Sequence, residues 1–369
     1  MKPETEGEKM KRKNNKMKNI ICVTSGLLLS PVVAAGIVRG IDGIGEAVSV
    51  FSEMKVGTET GLNEYYFKPM LSHGYGWTEE KYAEDVQVKE GKSEILPYPE
   101  ISDVHSGRVI SQTFGNYSGS QYFSLDRGGQ VRNCTDQSED ILLSQSRKKP
   151  EFTVTLGGNP QVLIMHTHTT ESFEPFEREF YDSSFSYRTS DEEMNVTAVG
   201  DAMKKEIEKY GINVIHDKTI HDYPSYTGSY DRSSETVKKI LRENPEIKVV
   251  LDIHRDAIAS ENDLIAPVTE ISGRKAAQIM IVSGCDDGTM NMPDYLQNFR
   301  LACLFQQQIE SDCPGLTRPV LFDYRNYNQE LTSGSLLIEV GSHGNTIDQV
   351  KYSGELIGNS IGKSLQSLS

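Results

Sequence analysis

The stretch VLIMHTHTTESF is an apolar run that ends in His166, His168 and Glu171. Two more apolar runs end in a similar way: KVVLDIHRDA contains His254, and SLLIEVGSHGN contains Glu339. Imidazole and carboxylate groups are the usual ligands of catalytic zinc, which commonly has three protein ligands and one open position. A nearby carboxylate can then act as a general base toward water. The three runs together predict a zinc-dependent hydrolytic site, although a single histidine at a strand end more often only forms hydrogen bonds.

The spacing within the first run suggests how its side chains converge. His166 and His168 are two positions apart, and side chains at that spacing in an extended strand point to the same face. We therefore expect both imidazoles on one side of the sheet. After a turn, Glu171 can return to the same point, and His254 would come from a neighbouring strand.

Strands and helices alternate after about residue 150, which predicts an α/β domain with a mostly parallel sheet flanked by helices. In such sheets the working groups lie just beyond the carboxyl ends of the strands. The segments typical of strands are QVLIMHTH, INVIHD, IKVVLDIHRD, KAAQIMIVSG and GSLLIEVGSHGN, and RPVLFDYRNYNQELT reads as mostly extended. The segments typical of helices are EEMNVTAVGDAMKKEIEKYG, SSETVKKILREN, DYLQNFRLACLFQQQIESDC and NTIDQVKYSGELIGNSIGKSLQSL.

The preceding part of the chain has a different character. Residues 40–150 are interrupted by the turn signals GYGW, LPYPE, NYSGSQ and DRGGQ, which separate short segments such as RVISQTF and SQYFSL. This pattern predicts a small mixed or β region without a catalytic constellation.

The N-terminal segment is typical of a membrane anchor. Residues 9–18 are strongly basic, and residues 20–38 carry no charge. A helix of that length spans about 28 Å, close to the hydrocarbon thickness of a bilayer. The positive-inside rule then predicts a cytoplasmic tail over 1–18, a transmembrane signal anchor over 19–39 and an extracytoplasmic body. A cleaved signal peptide is the alternative, with an imperfect cleavage pattern near Val33-Ala34-Ala35.

Charge, cysteine content and motifs exclude several classes of protein. The formal net charge of −15 argues against non-specific nucleic-acid binding. The five cysteines form no CxxC pair, which disfavours a zinc knuckle, and they are expected to be free thiols. A bridge between Cys303 and Cys313 is the alternative. The chain has no GxSxG elbow, so a serine nucleophile of that class is disfavoured.

A tyrosine-rich segment, HDYPSYTGSYDRS, contains His221, Tyr226 and Arg232. Tyrosine rings stack on sugars and peptides, and their hydroxyl groups supply polar contacts. We expect this segment to form a wall of a substrate groove, and an ordered structural loop is the alternative.

The motifs VLIMHTHTTESF, TIHDYPSYTGSYDRS, LDIHRDA and LLIEVGSHGNT, with the basic and apolar N-terminus, resemble the stage II sporulation protein P family over about residues 130–369. The resemblance implies a membrane-anchored peptidoglycan hydrolase that acts at the sporulation septum during engulfment. It implies amidase cleavage between N-acetylmuramic acid and L-alanine, and endopeptidase cleavage of peptide cross-links, both by residues 151–369. It also implies a membrane complex with the sporulation proteins D and M.

More distantly, the same residues are similar to zinc-dependent N-acetylmuramoyl-L-alanine amidases. That similarity implies Zn²⁺ as cofactor, with His168 and His254 as ligands and Glu339 as the catalytic glutamate. It matches Arg232 to the arginine of that family, and either Arg232 or Arg255 could pair with a peptide carboxylate or steady an oxyanion.

The third zinc ligand is left open by the resemblance. The amidases take a glutamate from near the start of their first helix, and Glu193 occupies that region here. Glu171 is the preferred ligand because it lies within the stronger HTHTTES motif, and His166 is the other candidate.

Two other functions compete with the peptidoglycan hydrolase. One is a catalytically silent cell-wall-binding scaffold that recruits other hydrolases, which the presence of His168, His254 and Glu339 disfavours. The other is a different metal-dependent hydrolase, such as an ester-cleaving enzyme, on the same sheet.

Overall fold

The computed structural model describes residues 95–260 and 262–369. The basic tail and the anchor expected over 1–39 lie outside these residues, as does the first part of the region over 40–150. Within the described ranges, no helix is both long and apolar enough to cross a membrane. The described cysteines, which include Cys303 and Cys313, are free thiols as expected, so the alternative bridge is not formed.

The described residues form thirteen strands and five helices. The strands are β1 (Gly107–Gln112), β2 (Tyr122–Ser124), β3 (Gln130–Asn133), β4 (Val162–Met165), β5 (Phe180–Tyr181), β6 (Val214–His216), β7 (Val249–Asp256), β8 (Ala259–Ser260), β9 (Asp263–Ile271), β10 (Arg274–Ala277), β11 (Ile279–Gly284), β12 (Val320–Asp323) and β13 (Ser335–Ser342). The helices are α1 (Glu139–Ser146), α2 (Val196–Glu208), α3 (Ser229–Glu243), α4 (Tyr295–Asp312) and α5 (Ile347–Gln366).

The main sheet has eight strands in the order β2-β3-β12-β11-β13-β7-β4-β6. Its pairs β2–β3 and β11–β13 are antiparallel, and the others are parallel. The sheet is therefore mixed, which corrects the expectation of a mostly parallel sheet. The last strand in the chain, β13, lies in the middle of the sheet between β11 and β7.

A second sheet is also mixed, with the order β10-β9-β1-β5 and β8 paired to β9. Strand β1 is parallel to β9, whereas β5, β8 and β10 are antiparallel to their neighbours. Strands β1 and β3, which precede residue 150, each pair with a strand from the later part of the chain, one in each sheet. The mixed, β-rich character expected before residue 150 is present in this described part.

The two faces of the main sheet are covered differently. Alternate residues such as Ile164, Leu251 and Ile338 pack with apolar residues of α2, α4 and α5 in the largest core. On the other face, Leu163 and Val250 pack against α3. Further along that face, a small cluster around Leu337 packs against the segment after β12. Side chains of β7 and β13 that share a face with Val250 and Leu337 therefore lie on the α3 side.

Helices α2 and α5 lie very close together, and glycines on α5 make this possible. A Cβ atom at Gly358 would lie 2.7 Å from the carbonyl oxygen of Met203 and 2.8 Å from its Cα. Such distances leave no space for a side chain.

Both helices begin at a side-chain N-cap. Asn195 accepts from the Thr197 N–H at the start of α2, and Thr346 forms a capping box with Gln349 at the start of α5.

Candidate functional site

His166 and His168 leave strand β4 in opposite directions. The strand ends at Met165, so the two-residue alternation of an extended strand does not continue through the motif. His166 turns toward α2, where its Nδ1 lies 2.9 Å from the Ile253 carbonyl oxygen and its Nε2 lies 2.8 Å from Nε2 of His216. The expectation of one shared face is therefore wrong. Both nitrogens of His166 have partners, and burial lowers its pKa to about 3.

His168 lies on the α3 side, in contact with the tyrosine-rich segment. Its ring stacks on Tyr226 with centroids 4.5 Å apart, and its Nε2 lies 3.1 Å from the Tyr226 hydroxyl. The Ser229 hydroxyl lies 3.4 Å from Nδ1. Burial, and then the charge of His254, hold the pKa of His168 well below its usual value. The imidazole is therefore neutral, as a metal ligand must be.

His254 comes from β7 and meets His168 edge to face, with ring centroids 5.1 Å apart. Its Nδ1 lies 3.8 Å from Oε2 of Glu171, and its Nε2 lies 2.9 Å from Oδ1 of Asp252. The second contact is a charge contact without hydrogen-bond geometry. Burial lowers the pKa of His254, but the Asp252 carboxylate outweighs burial, and the pKa rises to about 9.

Asp252 is a site residue to which the sequence patterns assigned no role. It is buried, and its two oxygens accept from the N–H and the hydroxyl of Thr167 at 2.8 and 2.7 Å. These bonds hold the carboxylate against His254. The signal for it was present as the D-x-H pattern in β7, because this spacing puts both side chains on one face of a strand.

Glu171 is positioned by the turn that follows β4. Its N–H donates to the His168 carbonyl at 3.1 Å, and its own carbonyl accepts from Val196 at the start of α2. Its Oε2 accepts from the backbone N–H of Arg255 at 3.1 Å. The turn thus returns Glu171 to the cluster beside His254, as expected from the motif.

Glu339 lies opposite His254 in the parallel pairing of β13 with β7. Its side chain is half-buried, and its Oε2 is a buried atom without a hydrogen-bond partner within the described part of the chain. Burial, and then the charge of Asp256, raise the pKa of Glu339 to about 8. Asp256 itself pairs with the buried Arg318 at 3.0 Å. A carboxyl group with such a pKa can exchange protons near neutral pH.

The donor set fits zinc in its chemistry. His168, His254 and Glu171 supply two imidazoles and a carboxylate in one buried cluster, which are the donors of catalytic zinc sites. With its pKa of about 9, His254 would release a proton when it binds the ion. With Nε2 of His254 against Asp252, its Nδ1 faces Glu171, whose Oε2 lies 3.8 Å away, so this nitrogen and the Glu171 carboxylate could meet the same ion. Across residues 95–260 and 262–369, however, no group of three or more His, Cys, Asp or Glu side chains has the arrangement of a metal site. His168, His254 and Glu171 would therefore have to move closer together to bind an ion.

Glu193, one of the alternatives for the third ligand, is placed elsewhere. Its side chain is 79% exposed and lies 3.4 Å from Lys351. Neither Glu193 nor His166 shares the cluster that contains Glu171.

Arg232 and His221 act within the tyrosine-rich segment itself. Arg232 donates from Nε to the His221 carbonyl at 2.7 Å and from Nη1 to the Thr227 carbonyl at 3.0 Å. His221 is buried, with Nδ1 2.9 Å from the His166 carbonyl oxygen and Nε2 3.0 Å from the Thr236 hydroxyl. The contacts of Arg232 and His221 therefore stabilise the loop itself. Of the three residues predicted to line a substrate groove, Tyr226 is the one that contacts the histidine cluster.

Arg255 alternates with His254 along β7, so its side chain leaves the opposite face. Its guanidinium donates to the carbonyls of Tyr187 at 3.1 Å and Asp256 at 3.4 Å, and burial lowers its pKa. Only its backbone N–H contacts a member of the cluster, Glu171.

Two more tyrosines extend the aromatic wall beside the cluster. Tyr230 lies nearly parallel to the His254 ring with centroids 6.4 Å apart, and Tyr327 stacks on Tyr230 at 5.4 Å. On the other side, Arg188 lies over the Tyr226 ring at 4.9 Å. Tyr226 lies in the loop before α3 and Tyr230 in its first turn, and the density of tyrosines in HDYPSYTGSYDRS was the usable signal for both. Nothing local pointed to Tyr327.

Fold and site define a mixed α/β protein with a buried histidine and carboxylate cluster on adjacent strands of one sheet. A family model for stage II sporulation protein P (SpoIIP) matches residues 114–362. The chain belongs to this family. It is 29% identical over 232 residues to stage II sporulation protein P of Bacillus subtilis (strain 168), a match that covers 59% of this chain and 54% of the relative. The chain thus matches only about half the length of that relative.

Two solved structures with a partial likeness to the chain are amidases. N-acetylmuramoyl-L-alanine amidase AmiC2 of Nostoc punctiforme is 12% identical, with a TM-score of 0.32 over 57% of this chain and 94% of that chain. The CwlD amidase from Clostridioides difficile, in complex with the GerS lipoprotein, is 15% identical, with a TM-score of 0.32 over 56% and 98%. Similarity at this level does not bear on the chemistry of the present chain.

Proposed function

We propose that this chain is a zinc-dependent hydrolase of amide bonds in peptidoglycan. Its bonds would be the amide between N-acetylmuramic acid and L-alanine and the peptide cross-links. The observation that carries the proposal is the meeting of His168, Glu171 and His254 in one buried cluster, with Glu339 beside His254 on the next strand. The choice of substrate is supported by membership in the SpoIIP family.

His168, Glu171 and His254 would hold the zinc ion, which would supply Lewis acidity toward the scissile carbonyl. Glu339 would take a proton from the attacking water and deliver it to the leaving amine, since its pKa of about 8 suits both transfers. Asp252 would keep the His254 ring in position through its contact with Nε2. The rings of Tyr226 and Tyr230 would form a wall for the sugar or the stem peptide.

We propose further that residues 19–39 anchor the chain in the cell membrane, with the hydrolytic body outside. The basic residues 9–18 and the uncharged residues 20–38 support this orientation. The proposed place of action is the sporulation septum and the engulfing membrane, in a complex with sporulation proteins D and M. Family membership supports this setting.

The test is digestion of purified, cross-linked peptidoglycan by the full chain in detergent, with and without a zinc chelator, followed by mass spectrometry. Release of free stem peptides that is lost on chelation and in Glu339→Gln would support the amidase, and cut cross-links would support the endopeptidase. Glu355→Gln, at an exposed glutamate of α5, is the matched control. Intact peptidoglycan under all conditions, even with zinc and the partner proteins, would favour the scaffold.

The third ligand can be decided by metal content. Glu171→Gln and Glu193→Gln are the same chemical change at a buried and an exposed position. We expect the zinc bound per chain, measured by elemental mass spectrometry, to fall in the first variant and to stay unchanged in the second. The opposite pattern would move the ligand to Glu193.

A further inference from the structure

The segment after β12 holds a tyrosine in an unusual backbone conformation. Tyr327 and the following Asn328 have φ angles of 47° and 59°. Asparagine tolerates the left-handed region, but a bulky aromatic residue rarely adopts it. Strain of this kind persists where the surrounding structure enforces it, and such places are often functional.

The contacts around Tyr327 enforce this conformation. The Asn328 side chain donates to the Tyr230 carbonyl and to the Ser233 hydroxyl, both at 3.0 Å. Its backbone N–H donates to Oδ1 of Asn326 at 2.9 Å. These hydrogen bonds connect the segment to the first turn of α3, which contains Tyr230 of the proposed groove wall.

The ring of Tyr327 lies on the α3 side of the main sheet, which is the side of His254 and Glu339. It packs with the apolar cluster that includes Met280 and Leu337. Leu337 and Glu339 are two positions apart on β13 and share a face, and Met280 is the register partner of Glu339 on β11. Tyr327 also stacks on Tyr230, which lies along His254. The ring therefore lies between the tyrosine wall and Glu339.

The Tyr327 hydroxyl is a buried donor without an acceptor. Its oxygen has no hydrogen-bond partner among the residues that the structure describes. Burial raises the pKa of Tyr327 well above its usual value, and the nearby Arg325, which pairs with Asp323 at 3.0 Å, offsets this rise only in part. A guanidinium only donates, so Arg325 cannot accept the phenolic proton. On the same face, Oε2 of Glu339 also has no hydrogen-bond partner within residues 95–260 and 262–369.

We propose that Tyr327 is a catalytic residue of the amide hydrolysis proposed above, on which this inference rests. Its hydroxyl donates a hydrogen bond to the scissile carbonyl oxygen as negative charge develops there. Tyr327 keeps its proton throughout. The oxygen of water bonds to the carbonyl carbon, the carbon–nitrogen bond breaks, and the water proton passes through Glu339 to the leaving amine. The strained backbone serves to hold this donor in place before substrate arrives.

The test compares Tyr327→Phe, which keeps the stacked ring, with Tyr327→Leu, which removes it, in the full chain with zinc. The substrate is a purified muropeptide that contains the proposed amide, and cleavage is followed by chromatography. We expect Tyr327→Phe to lower kcat by about 100-fold, as loss of one oxyanion donor does, with little change in KM. Tyr324→Phe is the matched control because it removes a hydroxyl that accepts from the exposed Asp136 N–H.

Thermal unfolding separates this role from a structural one. Because the hydroxyl has no partner within the described residues, its removal is expected to leave Tm unchanged or higher. A Tyr327→Phe protein with wild-type kcat, or with lowered Tm and unchanged kcat, would overturn the inference. A loss of kcat seen in Tyr327→Leu alone would also overturn it, since the ring would then be the important part. A wild-type chain that leaves the muropeptide intact would refute the proposed function, and the inference with it.

Discussion

Replacing Glu339 with glutamine should stabilise the metal-free protein at high pH. The pKa of Glu339 is raised from 4.5 to about 8, so between these values the native chain holds a proton that the unfolded chain has lost. Native stability therefore falls as pH rises through this window. Glutamine is uncharged at every pH, and the variant avoids this loss.

The size of the effect follows from the same interval. One pKa unit corresponds to about 1.4 kcal/mol, so the full interval sets an upper bound of about 5 kcal/mol above pH 8. Because the side chain is half-buried and solvent screens part of the effect, we expect about 2–3 kcal/mol in favour of Glu339→Gln at pH 8.5. Below pH 4.5 the two proteins should be equally stable, since both side chains are then neutral.

Urea unfolding in the presence of a chelator, at pH 4.5, 7 and 8.5, measures these differences. Glu355→Gln on α5 provides the control, and its effect should be small at all three pH values because the side chain is exposed. A stability difference for Glu339→Gln that does not change with pH would refute the reasoning. A destabilised variant at pH 8.5 would refute it as well.

Three more predictions concern the stability of the fold. Gly358→Ala should destabilise the protein by about 1–3 kcal/mol in urea unfolding, because the new methyl group meets the Met203 backbone. Asp256→Asn should cost about 3–5 kcal/mol, because it removes the carboxylate 3.0 Å from the buried Arg318. Burial, and then the charge of Arg255, lower the pKa of His343 to about 3. Because the unfolded chain binds a proton at this side chain below pH 6.5 and the native chain does not, native stability should fall as the pH drops below 6.5. His343→Gln should recover about 2 kcal/mol of this loss at pH 5.

Each of these changes has a control within the chain. Gly115→Ala adds a methyl group where no atom lies within 4 Å, so it should be neutral or slightly stabilising. Asp263→Asn breaks a surface pair with Arg108 and should have a much smaller effect on stability, because solvent screens the two charges. Equal effects at the buried and exposed carboxylates would contradict the account of the Asp256–Arg318 pair.

The convergence of His168, His254 and Glu339 could be predicted because each follows a strongly apolar strand. Adjacent parallel strands bring such ends together, and β7 pairs with both β4 and β13. Local periodicity also placed the helices α2 to α5 correctly to within a few residues at most boundaries. These features depend on short-range patterns, which the sequence displays directly.

Other features depended on contacts between distant residues. The same-face expectation for His166 failed because the strand stops at Met165, and nothing local marks that end. Arg232 and Arg255 were assigned by residue type, whereas the structure gives their guanidinium groups backbone carbonyls as partners. The antiparallel pair β11–β13 and the second sheet could not be predicted from alternation alone, since pairing depends on which strands meet in space.

The central position of β13 has a consequence for how the molecule acquires its site. Strands β7 and β11 precede β13 in the sequence, yet they become part of one sheet only when residues 335–342 pair between them. Because β13 contains Glu339, the sheet and the proposed catalytic cluster are completed in one event. A chain still emerging from the ribosome, or one cut before residue 335, therefore has neither a closed sheet nor a complete set of reactive groups. Pairing over such distances is intrinsically slow, so the reactive groups stay apart until the body of the protein has folded.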